Sequence, residues 1–129
     1  MAYWLLKSEP ESYSWSDLVR AGATEWDGVR NAAAAGHLRA MRVGDLALLY
    51  HSGKDKAAVG VVRIAREARK DGDWVSVAVE PALPLPRPVT LAAMKADARL
   101  SGMAMIRQSR LSVSPVSDAE WAAIRDLAG

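Results

Sequence analysis

Two runs with alternating apolar positions meet at Asp71-Gly72-Asp73, and this hairpin constrains the fold more than any other stretch of the chain. Ala57 to Arg69 carries Val59, Val61 and Ile64 against Arg63, Arg66 and Arg69, and Trp74 to Val79 returns with Val75, Val77 and Val79. Alternation of this kind reads as half-buried strand, and Asp-Gly tolerates the positive φ of a tight turn. The first run slips out of phase near Gly60, which predicts a bulge or sharp bend there. Strands separated by helices around one antiparallel hairpin make an α+β domain with a curved mixed sheet. No Gly-rich strand-to-helix turn supports a Rossmann-type parallel sheet.

The flanking segments fill in the rest. Ala2 to Leu6 reads as a buried strand. Ser14 to Arg20 reads as a helix, with Ser14 or Ser16 as N-cap, Asp17 in its first turn and Gly22 as its stop. Asn31 to Met41 reads as a second helix capped by Asn31, weakened at Gly36 by about 1 kcal/mol relative to alanine. Leu46 to His51, after the turn Gly44-Asp45, is an apolar strand with a polar end. Pro81, Pro84, Pro86 and Pro88 impose an extended or turning path that excludes helix and central strand. Thr90 caps a short helix from Leu91 to Ala98, and Leu111 to Ser114 is a short strand. Ser117 and Glu120 form a capping box for a last helix through Leu127, with Trp121, Ile124 and Leu127 on its core face.

Composition narrows the class. The 129 residues are half hydrophobic and one quarter charged, which suits a single globular domain over 1–129. A chain of this length buries roughly 70% of the surface it exposes when unfolded. Cysteine is absent, which excludes a disulfide framework, a thiolate zinc site and a cysteine nucleophile. His37 and His51 are too few for most histidine metal sites, so neither metal nor cofactor is expected. No apolar run approaches the roughly 20 residues of a membrane span, and MAYWLLKSEP is not a signal peptide. A cytoplasmic monomer is the expectation. The net charge of +2, with twelve arginines and five lysines, permits an anionic partner. An alanine- and arginine-rich genome composition accounts for most of it.

Catalytic motifs are missing: there is no G-x-S-x-G elbow, P-loop or H-E-x-x-H. A Ser8 or Ser52 nucleophile with His51 and Asp27, or paired acids among Glu9, Glu11, Glu25 and Asp27, are combinations of common residues rather than motifs. What remains is a set of polar ends after apolar stretches: Lys7-Ser8, then Trp26-Asp27 through Arg30-Asn31, then Tyr50-His51-Ser52, then Arg107-Gln108-Ser109-Arg110. Brought together, they would hold a flat heterocycle, with Trp26 stacking, Asn31 or Ser8 reading the edge, and Arg30, Arg107 or Arg110 meeting phosphate. Each has a plainer reading. Trp26 fills core like Trp4, Trp15, Trp74 and Trp121; Asn31 caps a helix; His51 satisfies a backbone carbonyl; Asp27-Gly28 is a turn; Arg63, Arg66 and Arg69 are a solvated face.

The opening YWLLKSEPESYSWSDL, EWDGVRN and LRAMRVGDLALLYHS, followed by LPRPVTLAAMK and MIRQSRLSVSPVSDAEW, strongly resemble the EVE domain family from Tyr3 to about Leu127. K-S-E-P, W-D-G-V-R-N and G-D-L-x-L-x-Y-H-S in this order are far more specific than any one short motif. The resemblance implies a PUA-like fold, a curved, partly closed mixed β-barrel flanked by helices, shared with PUA, ASCH and YTH domains. It implies no catalysis, but a nucleic-acid-binding module that reads a modified base, such as methylated or hydroxymethylated cytosine, in DNA or RNA. Carried onto matching positions, it puts Lys7 and Ser8 on the pocket floor, Trp26 as the stacking wall, and Asp27 and Asn31 near the base edge. It puts Tyr50, His51 and Ser52 opposite, and Arg30, Arg107, Gln108 and Arg110 at the rim. Two features depart from the family. Ala32 stands where members often carry an aromatic residue, and the chain is short between Arg69 and Trp74, where relatives often have an insertion. An enzyme using His51 as acid or base with Asp27 or Glu9, and a small-ligand sensor using the same pocket, are the alternative readings.

Overall fold

Alternation along the strands sends apolar side chains to both sides of one sheet, so both sides need cover. In the computed structural model, which describes residues 1–129, six strands lie in the order β2-β5-β4-β3-β1-β6. Strand β1 (Tyr3–Ser8) runs parallel to β3 (Leu46–His51) and antiparallel to β6 (Val113–Val116). Strand β4 (Ala57–Asp71) pairs antiparallel with β3 and with β5 (Trp74–Thr90), and β5 carries the short β2 (Thr24–Trp26) on its far side. The sheet is mixed and curved and does not close: its edges, β2 and β6, do not pair with each other.

On one face, Trp4, Leu6, Ala47, Leu49, Ile64 and Val77 meet Leu18 of α1 (Trp15–Ala21) and Leu38 of α2 (Ala32–Ala40). On the other, Leu5, Leu48, Tyr50, Val61 and Val89 meet the C-terminal elements. These are α3 (Leu91–Ala96), a 3-10 turn (Ala98–Leu100), α4 (Ala104–Arg107) and α5 (Asp118–Ala128). They contribute Met94, Leu100, Met105, Trp121 and Ile124. Tyr3 stacks on Trp121 with ring centroids 4.2 Å apart. Helix α2 packs against β4, β5 and β6, bridging strands four places apart in the sheet order. No helix is long and apolar enough to cross a membrane.

The expected caps form. Ser14 and Asp17 close a capping box at α1, and Ser117 and Glu120 do so at α5. Asn31 and Thr90 accept N–H bonds from Ala34 and Ala93. Asp97 stops α3 short of Ala98 by capping the 3-10 turn, accepting from the Arg99 N–H at 2.9 Å. The bulge also falls where the sequence pattern slips. Leu49 pairs with Gly60 and Tyr50 with Ala58, leaving Val59 unmatched. Gly60 is there because a Cβ would collide with the six-membered ring of the Trp15 indole, 2.7 Å from Cδ2.

Two parts of the sequence reading need correction, and a third is sharpened. Strand β1 runs on to Ser8, because the Lys7 N–H donates to Ser112 O and the Ser52 N–H to Ser8 O, each at 2.9 Å. The proline-rich stretch, expected to be extended or turning and not a central strand, is the extended second half of β5. Beyond Val79, β2 no longer covers β5, so the prolines sit where the outer edge needs no N–H donor. Strand β2 itself is absent from the sequence reading. Its Glu25 makes the attachment: Arg66 Nη1 and Nη2 donate to it at 2.8 and 2.6 Å, and Ser76 Oγ at 2.6 Å. These bonds, Arg66 first and Ser76 second, pull the Glu25 carboxyl down from its usual 4.5 to about 2.

Two outcomes follow from this packing. Gly60→Ala lowers stability by about 1–3 kcal/mol in urea denaturation, the usual range for overpacking, and a second change of Trp15→Leu recovers most of the loss. Glu25→Gln is destabilising at neutral pH. Because the folded pKa of Glu25 is depressed, its contribution is complete above its usual 4.5 and fades as pH falls towards about 2. The gap between the variant and the parent chain therefore narrows through that window in a pH series of urea midpoints.

Candidate nucleic-acid interface

The register of β1 on β3 sets which polar groups meet. Asp45, at the start of β3, accepts from Trp4 Nε1 at 3.0 Å, from the Arg42 N–H at 3.0 Å and from the Ala2 N–H at 3.2 Å. Burial alone pushes the Asp45 carboxyl up, and the bonds from Trp4, Arg42 and Ala2 outweigh it and hold the group below its ordinary value. With the start pinned, Lys7 falls opposite Tyr50 and Ser8 opposite His51. Side chains alternate with period two, so Ser8 and His51 point to the α1/α2 side and Lys7 and Tyr50 to the C-terminal side.

A cleft of about 490 Å³ opens on the α1/α2 side. Its lining comes from Lys7 and Ser8 of β1, Thr24 to Trp26 of β2, the loop Asp27 to Arg30, Tyr13, and Ser112 just before β6. It therefore occupies the unclosed gap between the two sheet edges. Trp26 is half-buried, with part of its indole packed against core and the residue lining the cleft. The loop behind it is tied down at both ends. Gly28 takes φ +75°, a left-handed conformation that glycine adopts without strain. Its N–H donates to Asp71 Oδ2 at 3.3 Å, and Arg30 Nη1 donates to the same oxygen at 3.2 Å. Val29 is buried between them. Ser8 Oγ donates to Tyr13 O at 2.6 Å. The buried Tyr13 hydroxyl has no hydrogen-bond partner.

A second cavity of about 180 Å³ lies on the other side of Lys7, lined by Tyr50, Ser52 and Gly53 together with Lys56, Lys95, Met105 and Ser109. A third, of about 390 Å³, collects Asn31, Arg107, Gln108, Ser109 and Arg110. Lys7 belongs to the first two and Ser109 to the last two, so the three are contiguous.

The sequence-chosen residues therefore divide. Lys7, Ser8, Trp26, Asp27 and Arg30 share the large cleft. Tyr50 and Ser52 sit in the second cavity, because adjacent strand residues face opposite sides of the sheet. Asn31, Arg107, Gln108 and Arg110 gather in the third, with the Asn31 carbonyl spent on capping α2. His51, expected beside the base, lines none of them. Its Nε2 accepts from the Trp15 N–H at 3.0 Å and its Nδ1 meets Asp55 Oδ2 at 3.1 Å, which places the ring proton on Nδ1. This is a backbone-satisfying role, but toward an N–H rather than a carbonyl. No cluster of three or more His, Asp or Glu side chains suited to a metal ion forms. Residues missed from the cleft are Tyr13, Thr24, Glu25, Gly28, Val29 and Ser112. The Thr-Glu-Trp run, two strand formers beside the loop, was the local signal for β2.

The comparisons with known proteins agree with this architecture. The EVE domain family model matches residues 2–127. Thymocyte nuclear protein 1 of Gallus gallus is 44% identical over 81 residues, covering 54% of this chain and 34% of that protein. The Homo sapiens protein of that name is 30% identical over 159 residues, covering 93% of this chain and 71% of its own length. The chain thus spans between about a third and seven-tenths of the curated relatives. A Rhodopseudomonas palustris protein solved by NMR superposes with TM-score 0.95 at 46% identity, over 100% of this chain and 94% of that one. Human THYN1, solved in complex with 5-methylcytosine-containing DNA, superposes with TM-score 0.93 at 30% identity, over 99% of this chain and 98% of that one. The chain belongs to the EVE domain family.

Proposed function

We propose that this domain is a non-catalytic DNA reader that accepts a modified cytosine-type base, such as 5-methylcytosine, in the Trp26 cleft. The observation that carries the reading is the half-exposed Trp26 on a 490 Å³ cleft edged by Lys7, Ser8 and Asp27. The related human protein solved with 5-methylcytosine-containing DNA supports the choice of DNA and of modification. A base inside a duplex is out of reach of such a cleft, so the guest is an extruded or single-stranded nucleotide.

Stacking on one aromatic face contributes about 1–3 kcal/mol per base. One buried methyl adds roughly 0.8 kcal/mol, or about fourfold discrimination over unmodified cytosine. A hydroxymethyl gains about 0.5–1.5 kcal/mol more if a hydroxyl or amide pairs with it. Arg107 and Arg110 at the third cavity form no ion pair with a carboxylate, which leaves them for phosphate. The enzymatic alternative lacks comparable support, since both His51 ring nitrogens are engaged away from the cleft.

Trp26→Ala is expected to weaken binding of a 5-methylcytosine oligonucleotide by at least about tenfold, within the stacking range, while the thermal melt stays cooperative. A fluorescence-anisotropy titration against modified and unmodified DNA and a matched RNA reads this. Unchanged affinity removes Trp26 from the mechanism, and RNA binding tighter than DNA reverses the choice of nucleic acid.

A further inference from the structure

The second cavity has a composition that neither the base-reading function nor the fold explains. Three of the chain's five lysines, Lys7, Lys56 and Lys95, line about 180 Å³ of space, and no Asp or Glu does. Every ion pair in the structure uses arginine or His51 as its cation, so none of these lysines is neutralised by a carboxylate. Lys56 and Lys95 are exposed and Lys7 is half-buried, so an anion entering the hollow would meet three cations and no competing carboxylate. The cavity also carries the hydroxyl-bearing residues Tyr50 and Ser52. Its volume of about 180 Å³ leaves room for a tetrahedral oxyanion with some water.

Two further details show a built wall. Lys56 is the one non-glycine residue with positive φ, at +45°, and its carbonyl accepts from the Leu91 N–H at 2.7 Å. Non-glycine residues seldom take that conformation, and here it fixes the backbone that carries the ammonium group. Lys7 Nζ donates to Ser109 O at 2.7 Å and lies 5.9 Å from the Tyr50 ring centroid, holding the ammonium between the large cleft and the second cavity. Burial lowers the Lys7 pKa, a direction that an approaching anion reverses.

We propose that this lysine-lined cavity is a phosphate-binding site, and that it takes a backbone phosphate next to the nucleotide whose base lies in the Trp26 cleft. The phosphate chemistry stands on the cavity itself, whereas its assignment to a nucleic-acid backbone rests on the DNA-reading function. Sharing Lys7 makes the two sites neighbours, and sharing Ser109 continues the path to Arg107 and Arg110.

Two measurements separate these layers. Inorganic phosphate titrated at constant ionic strength into the 15N-labelled chain should shift the amides of Ser52, Gly53, Lys56 and Ser109, and a Lys56→Gln/Lys95→Gln variant should lose those shifts. With single-stranded DNA, the same variant should reduce the slope of log K against log salt by about 0.7, the value for one lost phosphate contact. Its preference for modified over unmodified cytosine should stay unchanged. A charge-matched Lys70→Gln/Arg125→Gln control, at residues outside all three cavities, should keep the parental slope, and thermal melts confirm that both variants fold. Amide shifts without a slope change leave the phosphate site standing and overturn its backbone assignment in favour of a free phosphate. The absence of amide shifts overturns the site, whether or not DNA binds.

Discussion

The parallel pairing of β1 with β3 is the contact on which the candidate site depends. Parallel neighbours lack a connecting turn to set their register, so something else has to. Here that is Asp45, which gathers the indole of Trp4 and two backbone N–H groups around one buried carboxylate. A slip of a single residue would carry Ser8 to the C-terminal face and Lys7 to the α1/α2 face, changing what β1 supplies to each cavity. The acid that pins the strands lines neither cavity, yet it fixes which face of β1 each one meets.

Period-two alternation then divides the labour. The α1/α2 face ends in an aromatic cleft with mixed polar edges, and the C-terminal face ends in a small cationic hollow. Lys7, last but one in its strand, belongs to both. The gap between β2 and β6 keeps the cleft open, because closing the sheet there would put backbone pairing where Trp26 and Ser112 stand.

Local signals in the sequence were strong wherever the chemistry was local. The Asp-Gly hairpin, the caps at Ser14, Asn31, Thr90 and Ser117, and the bulge at Gly60 each rest on a few neighbouring residues, and each is present. The fold class followed from them and from the family resemblance. Long-range features were less legible. Strand β2 is three residues long and is held by Arg66, forty-one positions away, so the Thr-Glu-Trp run is its sole and faint local signal. The prolines excluded a central strand, but the sequence does not say that this stretch continues β5 along an edge. In the site, Lys7, Ser8, Trp26, Asp27 and Arg30 were visible as strand-end polar residues, whereas the motif Tyr50-His51-Ser52 read as one wall and is split by the pleat. Lys56 and Lys95 carried no signal, since surface lysines are common and only the fold brings them together.

The short Asp71-Gly72-Asp73 turn has a consequence for how a guest enters. Asp71 holds both Gly28 and Arg30, so the tip of the long hairpin is clamped to the loop that follows Trp26. The wall on which a base would lie is thus preorganised, and association forfeits little conformational entropy there. A longer tip would slacken that clamp and trade rigidity for adaptability. On the proposed reading, the brevity of this turn suits a narrow choice of guest better than a broad one.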